Sequence, residues 1–183
     1  ELIESVRSSS GYEQRFKEIE KFNSENRWKK RGISLTPIKW GIGWNGGYYN
    51  CMVSIYAKDG SVSISHGGVE MGQGIHTKVA QVCAYELAIP IETISIKPAD
   101  SFTNLNAQAT GGSITSELVS QACIECCKII QKNLAPVREK MPKDYTWQQL
   151  IQKALGMGVD LAARYWIYPE TKYPFEYCIY GAC

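Results

Sequence analysis

His66-Gly67-Gly68-Val69-Glu70-Met71-Gly72-Gln73-Gly74-Ile75-His76-Thr77-Lys78 is the stretch whose reading decides the fold. Ahead of it, Ser61-Val62-Ser63-Ile64-Ser65 alternates as a strand does. Behind it, Ile75, Val79, Val82, Cys83 and Leu87 recur by threes and fours, which predicts an amphipathic helix. Strand, glycine loop and helix together expose unpaired backbone N–H groups to a ligand. Neither standard phosphate motif fits. A Walker A loop continues Gly-Lys-Ser/Thr, whereas Gly72 is followed by Gln73; a dinucleotide fingerprint needs a third glycine, whereas Gly74 is followed by Ile75-His76-Thr77. What remains is flexible backbone, the Met71 thioether and the Gln73 carboxamide, which donates and accepts at once. That set suits a polar heterocycle or a metal-oxo group better than a bare phosphate. On spacing alone, a helix-capping turn without a ligand fits equally well.

Upstream, Tyr12, Phe16, Ile19 and Phe22 recur at helical spacing between Gly11 and Asn26, the pattern of a surface helix with one stripe turned inward. From Gly32 to Trp44 the chain turns β-like, with Pro37 marking an edge or bulge. Asn45-Gly46-Gly47 is a turn, Cys51 to Tyr56 a strand, and Asp59-Gly60 a hairpin turn into Ser61. Three or more antiparallel strands are therefore expected to lead into the loop. Downstream, Pro90 breaks the helix, Glu92 to Lys97 alternates as a strand, and Pro98 to Asn106 is a polar connection. A second glycine loop, Ala109-Thr110-Gly111-Gly112-Ser113-Ile114-Thr115-Ser116-Glu117, opens another helix, with Leu118, Val119, Ala122, Cys123, Cys126, Ile129 and Ile130 on one side and Pro136 as its end. Two glycine-rich helix N-termini could thus converge on one anion. Thr146 to Leu155 reads as a short helix capped by Thr146 and ended by Gly156-Met157-Gly158, and Asp160 to Cys183 as loop and then strand. The fold class expected is α+β, a mixed or antiparallel sheet with helices packed on it.

At 183 residues, with 44% apolar and 21% charged residues, the chain can bury a core as one domain or as a piece of a larger one. The missing initial methionine (Glu1) and the strand-like close, Tyr177 to Cys183, suggest a piece truncated at both ends. A net charge of +2, with its densest cations in Arg27-Trp28-Lys29-Lys30-Arg31, reads as a solvated turn and does not indicate nucleic acid. No apolar run is long enough for a membrane span, and the start has no signal-peptide pattern. Seven cysteines in a chain of this size fit a reducing, intracellular setting with free buried thiols. Cys123, Cys126 and Cys127 fall on the apolar helix face beside Val119 and Ile130. With no second CxxC and two histidines in the chain, they read as small buried hydrophobes rather than zinc ligands.

Gly67-Gly68-x-Glu70-Met71-Gly72-Gln73-Gly74-x-His76-Thr77-Lys78 resembles the molybdopterin-binding loop of the xanthine dehydrogenase/aldehyde oxidase family of molybdenum hydroxylases. Glu20-Lys21-Phe22-Asn23 with Trp28 to Gly32, the hairpin Asp59-Gly60-Ser61-Val62 and the second loop extend the likeness over essentially the whole chain, as part of the large molybdenum domain. The resemblance implies that Met71, Gly72 and Gln73 contact the pyranopterin. It implies a second contact from Gly112, Ser113, Ile114 and Thr115, with the Gly112 backbone near molybdenum. Trp44 and Asn45 would border the substrate funnel, although Asn45 departs from the threonine of xanthine-oxidising members. Gly111-Gly112-Ser113 and Asp160 to Trp166 resemble aldehyde oxidases, insect ones in the latter case; xanthine dehydrogenase and a cofactor-free module of the same fold stay open. Glu70 is read as hydrogen-bonding loop amides and His76 as capping or packing. The resemblance further implies oxidation of an aldehyde or N-heterocycle with oxygen from water, and a catalytic glutamate in a later segment absent from this chain, which alone should be inactive. It also implies [2Fe–2S] clusters and FAD bound outside the chain, a homodimer, and a cytoplasmic enzyme with no nucleic-acid or membrane partner.

Overall fold

Along the chain run α1 (Leu2–Ser9), α2 (Tyr12–Glu25), β1 (Pro37–Ile42), β2 (Tyr49–Ile55), β3 (Val62–His66), α3 (Ile75–Leu87), β4 (Ile94–Ile96), α4 (Thr115–Arg138), α5 (Trp147–Gly156), β5 (Ala162–Ile167) and β6 (Tyr177–Ala182). The computed structural model describes residues 1–42, 47–168 and 177–182. Two compact units form, Glu1–Trp44 with Tyr173–Cys183, and Asn45–Lys172.

In the first unit the Tyr12/Phe16 stripe lies on α2, but it is not turned inward as expected: none of its residues is buried, and Phe16 is 42% exposed. The stripe instead packs along its own helix, Tyr12 against Phe16 at 6.2 Å, while the Arg31 guanidinium covers the Phe22 ring at 3.9 Å. Trp28 is 86% exposed with Arg27 at 4.7 Å from its ring centre, so the cationic segment is the solvated turn expected. The strand expected from Gly32 begins only at Pro37. It pairs antiparallel with β6, Pro37 opposite Ala182 and Ile42 opposite Tyr177, and not with β2. Three consecutive antiparallel strands therefore do not precede the loop. Alternation marks β1 as a strand but carries no information about a partner some 140 residues away.

The second unit is a four-stranded mixed sheet in the order β4-β3-β2-β5. The Asp59-Gly60 turn closes the β2–β3 hairpin, with the Tyr56 amide donating to the Ser61 carbonyl and Asp59 accepting from the Ser61 amide. β2 buries Tyr49, Cys51, Val53 and Ile55, the alternate residues that share one face. β3, flanked on both sides, is buried throughout. β4 pairs parallel to β3, and a parallel pair needs a crossover, which α3 supplies. The glycine loop is thus the connection leaving the carboxyl end of β3, where open sheets with crossover helices place their ligands. α4 packs on β2, β5 and α3, its Val119, Cys123, Cys126, Cys127 and Ile130 fully buried. The polar connection seals the other face at β3: Asn104 Nδ2 donates to Ser65 Oγ at 2.8 Å, and the Thr103 and Ser65 hydroxyls lie 3.1 Å apart.

Two expectations are corrected in this unit. Pro136 does not end α4, which runs on to Arg138. A proline this near the C-terminus forfeits one hydrogen bond in the final turn, and the carbonyls beyond it can still be reached. Residues 162–167, expected as loop, are β5, paired antiparallel with β2 from Ser54–Ala162 to Tyr49–Ile167. α5 begins as read, with Thr146 and Gln149 forming a reciprocal capping box. Among the described residues no helix is long and apolar enough to cross a membrane.

Candidate functional site

A cavity of about 310 Å³ opens between the two glycine loops, lined by Met71, Gln73, Thr110, Gly111, Gly112, Ser113, Thr115 and Ser116. Both loops lie at helix N-termini, and the sheet brings them together. Because β2 is antiparallel to β3, its first residues lie beside the end of β3, where the Gly67 amide donates to the Asn50 carbonyl at 3.1 Å. Tyr49, fully buried, extends its hydroxyl from there to the second loop, 2.9 Å from both the Ala109 carbonyl and Thr115 Oγ1. Thr115 Oγ1 in turn accepts from the Gly111 amide at 3.1 Å. A direct tether completes the pairing, since Thr110 Oγ1 accepts from the Val69 amide at 2.9 Å.

Gly68 makes the close approach possible. A Cβ there would lie 2.5 Å from Ile75 Cδ1 and 3.2 Å from Thr115 Cγ2, inside the seam where both helices start. Gly112 answers a different demand: its φ of +64° is a left-handed conformation, and Ser113 follows it at +59°.

The first loop satisfies most of its own donors. Glu70 Oε1 accepts from the Gly72 and Gly74 amides, both at 2.9 Å, and Oε2 from the His76 amide at 3.2 Å. These N–H groups, that of Gly74 foremost, hold the Glu70 carboxyl below its ordinary range. The reading of Glu70 as a binder of loop amides is thereby met. The Gln73 carboxamide also serves its loop, Nε2 donating to the Val69 carbonyl at 2.7 Å and Oε1 accepting from the Met71 amide at 2.6 Å. The N-cap of α4 is Ile114, which, like Gly74 at the start of α3, offers no side-chain acceptor. The symmetrical picture of two open helix ends is nonetheless modified. The Glu70 carboxylate already occupies the amides at the N-terminus of α3, whereas the start of α4 borders the cavity through Ser113, Thr115 and Ser116 and carries Glu117 in its first turn.

Beneath the first loop, His66 is 1% exposed. Its Nδ1 accepts from the Gly68 amide at 3.2 Å, which places the proton of the neutral ring on Nε2, 3.1 Å from His76 Nδ1. Burial, and then the neighbouring His76, push the His66 pKa down to about 4. His76 is accordingly a packing partner, as read.

Five of the residues expected from sequence, Met71, Gln73, Gly112, Ser113 and Thr115, line the cavity; Gly72 and Ile114 belong to the same loops without lining it. Trp44 and Asn45 lie outside the described residues. Thr110, Gly111 and Ser116 also line it and were not singled out as site residues, nor was Tyr49 as their support. The hydroxyls bracketing the second glycine pair were the available signal for Thr110 and Ser116; Tyr49 offered none.

Residues 5–183 match the family described as the molybdopterin cofactor-binding domain. Aldehyde oxidase 1 of Bos taurus is 39% identical over 187 residues, covering 96% of this chain and 14% of the bovine protein. Xanthine dehydrogenase of Calliphora vicina is 45% identical over 157 residues, covering 84% of this chain and 12% of that protein. Among solved structures, the reconstituted CO dehydrogenase of Oligotropha carboxidovorans superposes with a TM-score of 0.72 at 20% identity, over 99% of this chain and 27% of the other, a likeness of fold. The chain therefore spans about one seventh or less of the length of these two curated relatives.

Proposed function

The chain belongs to the molybdopterin cofactor-binding domain family of the xanthine dehydrogenases and aldehyde oxidases, and from that premise we propose that its two loops grip the pyranopterin of the molybdenum cofactor within an aldehyde oxidase. The observation that carries the reading is the cavity, in which five of the seven cofactor contacts implied by family resemblance meet from two loops distant in sequence.

The residues present fit the group. Molybdopterin joins a polar heterocycle to a phosphate, and the cavity offers backbone amides, hydroxyls from Thr110, Ser113, Thr115 and Ser116, and the α4 N-terminus for the negative charge. Met71, 65% exposed at the lip, provides a polarisable apolar surface for a heterocyclic face. When bound, the cofactor supplies the chemistry that converts aldehydes or N-heterocycles to acids or oxo products with oxygen from water. The chain's own part is positioning. Glu70 and the Gln73 carboxamide fix the first loop, Tyr49 and Thr115 the second, and the Thr110–Val69 bond their separation. On the family resemblance the Gly112 backbone would lie near the metal, and Ser113 would contact the cofactor. None of the eight lining residues carries a carboxylate or an imidazole. On this reading the acid–base group comes from elsewhere in the full-length enzyme, as do the [2Fe–2S] clusters, the FAD and the homodimer contact.

Gln73→Ala in the full-length enzyme tests the proposal: molybdenum per protomer, measured by mass spectrometry, and aldehyde turnover should both fall several-fold. Unchanged values for both would overturn it, and a wild-type enzyme without stoichiometric molybdenum would favour a cofactor-free module. A second reading, xanthine dehydrogenase, is supported by the identity to the Calliphora vicina enzyme. Turnover of xanthine against that of a simple aldehyde decides between them.

A further inference from the structure

We infer that Cys83, Cys123 and Cys127 form a buried three-thiol site for a trivalent thiophile, with arsenite as its probe. Cys83 comes from α3, and Cys123 and Cys127 stand four apart on the facing side of α4. Their sulfurs all lie within 4.8 Å of one another, with Cys83 and Cys127 at 3.8 Å, and all three residues are fully buried. None lines the cavity between the glycine loops, so the site does not depend on the cofactor reading. With bonds of about 2.3 Å, the length found in zinc thiolates, three sulfurs around one centre stand roughly 3.5–4 Å apart. The Cys83–Cys127 pair already stands at that spacing.

Charge decides which centre fits. Cys83 is held above its ordinary range by its contact with Cys123 and by burial, and Cys123 by its contacts with Cys127 and Cys51 and by burial. At Cys127 the contact with Cys123 favours the thiolate, but the contact with Cys83 and burial outweigh it. The Glu86 carboxylate adds to the rise at Cys83 and Cys127. This core therefore resists negative charge. A monovalent or divalent ion bound by three thiolates would leave a net anion without a partner, which is costly in an apolar interior. Thiol–disulfide exchange needs a thiolate to attack, and these thiols rarely provide one.

A trivalent centre with three thiolates is neutral. Arsenous acid is itself uncharged at neutral pH and small enough to enter by local opening. Each of its three hydroxides leaves with one thiol proton as water. Three As–O bonds break and three As–S bonds form, and arsenic stays trivalent, so no oxidant or reductant is required.

The full chain, prepared without molybdenum, is incubated with arsenite and desalted. One arsenic per chain should be retained, and the melting temperature should rise. Cys83→Ala, Cys123→Ala and Cys127→Ala should each lose the arsenic. Cys126→Ala should keep it, because the Cys126 thiol is engaged 3.2 Å from the Cys51 carbonyl and outside the trio. Failure of the wild-type chain to retain arsenic, or equal retention by Cys83→Ala, overturns the site. Arsenic-edge X-ray absorption on the wild-type chain gives a test free of any folding defect in the variants. Three sulfur neighbours support the assignment, and oxygen neighbours overturn it.

Discussion

Glu70 and His66 hold the first loop by opposite means, one as an anion and the other as a neutral ring. Glu70 accepts three amide N–H bonds, so Glu70→Gln sets an NH2 group against one of those donors. The loop should loosen, seen as faster amide exchange at Gly72, Gly74 and His76, and molybdenum occupancy of the full-length enzyme should drop. Its folded-state pKa is depressed, so its contribution is present above the ordinary carboxylate range and is lost as pH falls through the folded value. His66 gives its loss at higher pH. The folded ring titrates at about 4 against 6.5 for an unperturbed histidine, so between those values the unfolded chain binds the additional proton. Stability is complete above 6.5 and falls toward 4, by about 2 kcal/mol between pH 7.5 and 5. Urea titrations at the two pH values measure this, and His66→Gln should flatten the difference. At this scale the sequence was legible wherever a side chain serves its own neighbours, as Glu70 does. It was not legible for Gln73, whose carboxamide suits a ligand equally well on paper but is engaged at both ends by Val69 and Met71. Nor was it for Cys83, whose approach to Cys127 is a fact of helix packing and of no spacing in the chain.

Elements were readable where the signal is local. α3 and α4 follow from 3.6-residue periodicity behind glycine, α5 from its Thr146 cap, and the β2–β3 hairpin from Asp59-Gly60. β5 was missed because Ala162, Ala163 and Arg164 lack the β-branched alternation that marks a strand, and its pairing with β2 does the work instead. The partner of β1 was equally invisible. The seam between α3 and α4 gives the prediction that belongs here. In Gly68→Ala the new methyl meets Ile75 Cδ1 at 2.5 Å, with Thr115 Cγ2 at 3.2 Å and Val119 Cγ2 at 3.3 Å crowding it as well, and Ile75 is fully buried. Overpacking of this kind costs about 1–3 kcal/mol. A fall in the denaturation midpoint with an unchanged m-value should accompany a wider separation of the two loops and reduced cofactor retention. Gly72→Ala, with open space around its Cβ but a φ of +99°, should cost backbone strain alone and leave the seam closed.

For the whole molecule, one topological fact organises the rest: β3 leaves the sheet through a glycine loop, crosses by α3, and returns parallel as β4. That crossover fixes where the first loop ends, and α4, packed on the same face, brings the second to it. Every residue of the cavity and of its supports lies in the unit Asn45–Lys172; none lies in the unit formed by Glu1–Trp44 and Tyr173–Cys183. A ligand that binds only the folded state stabilises what it touches in proportion to its occupancy. Comparing cofactor-loaded and cofactor-free full-length protein by amide hydrogen exchange should therefore show slower exchange at residues 69–76 and 110–118. Exchange across residues 2–36 should not change. The two loops should gain protection together, since Thr110 ties to Val69 and Tyr49 to Thr115. Thr110→Val should uncouple them, leaving the first loop fast-exchanging even when the second is protected. Protection confined to one loop in the wild-type protein would mean that the cavity is not the shared grip proposed. Equal protection in both units would place the effect of the cofactor on folding as a whole rather than on these two helix starts.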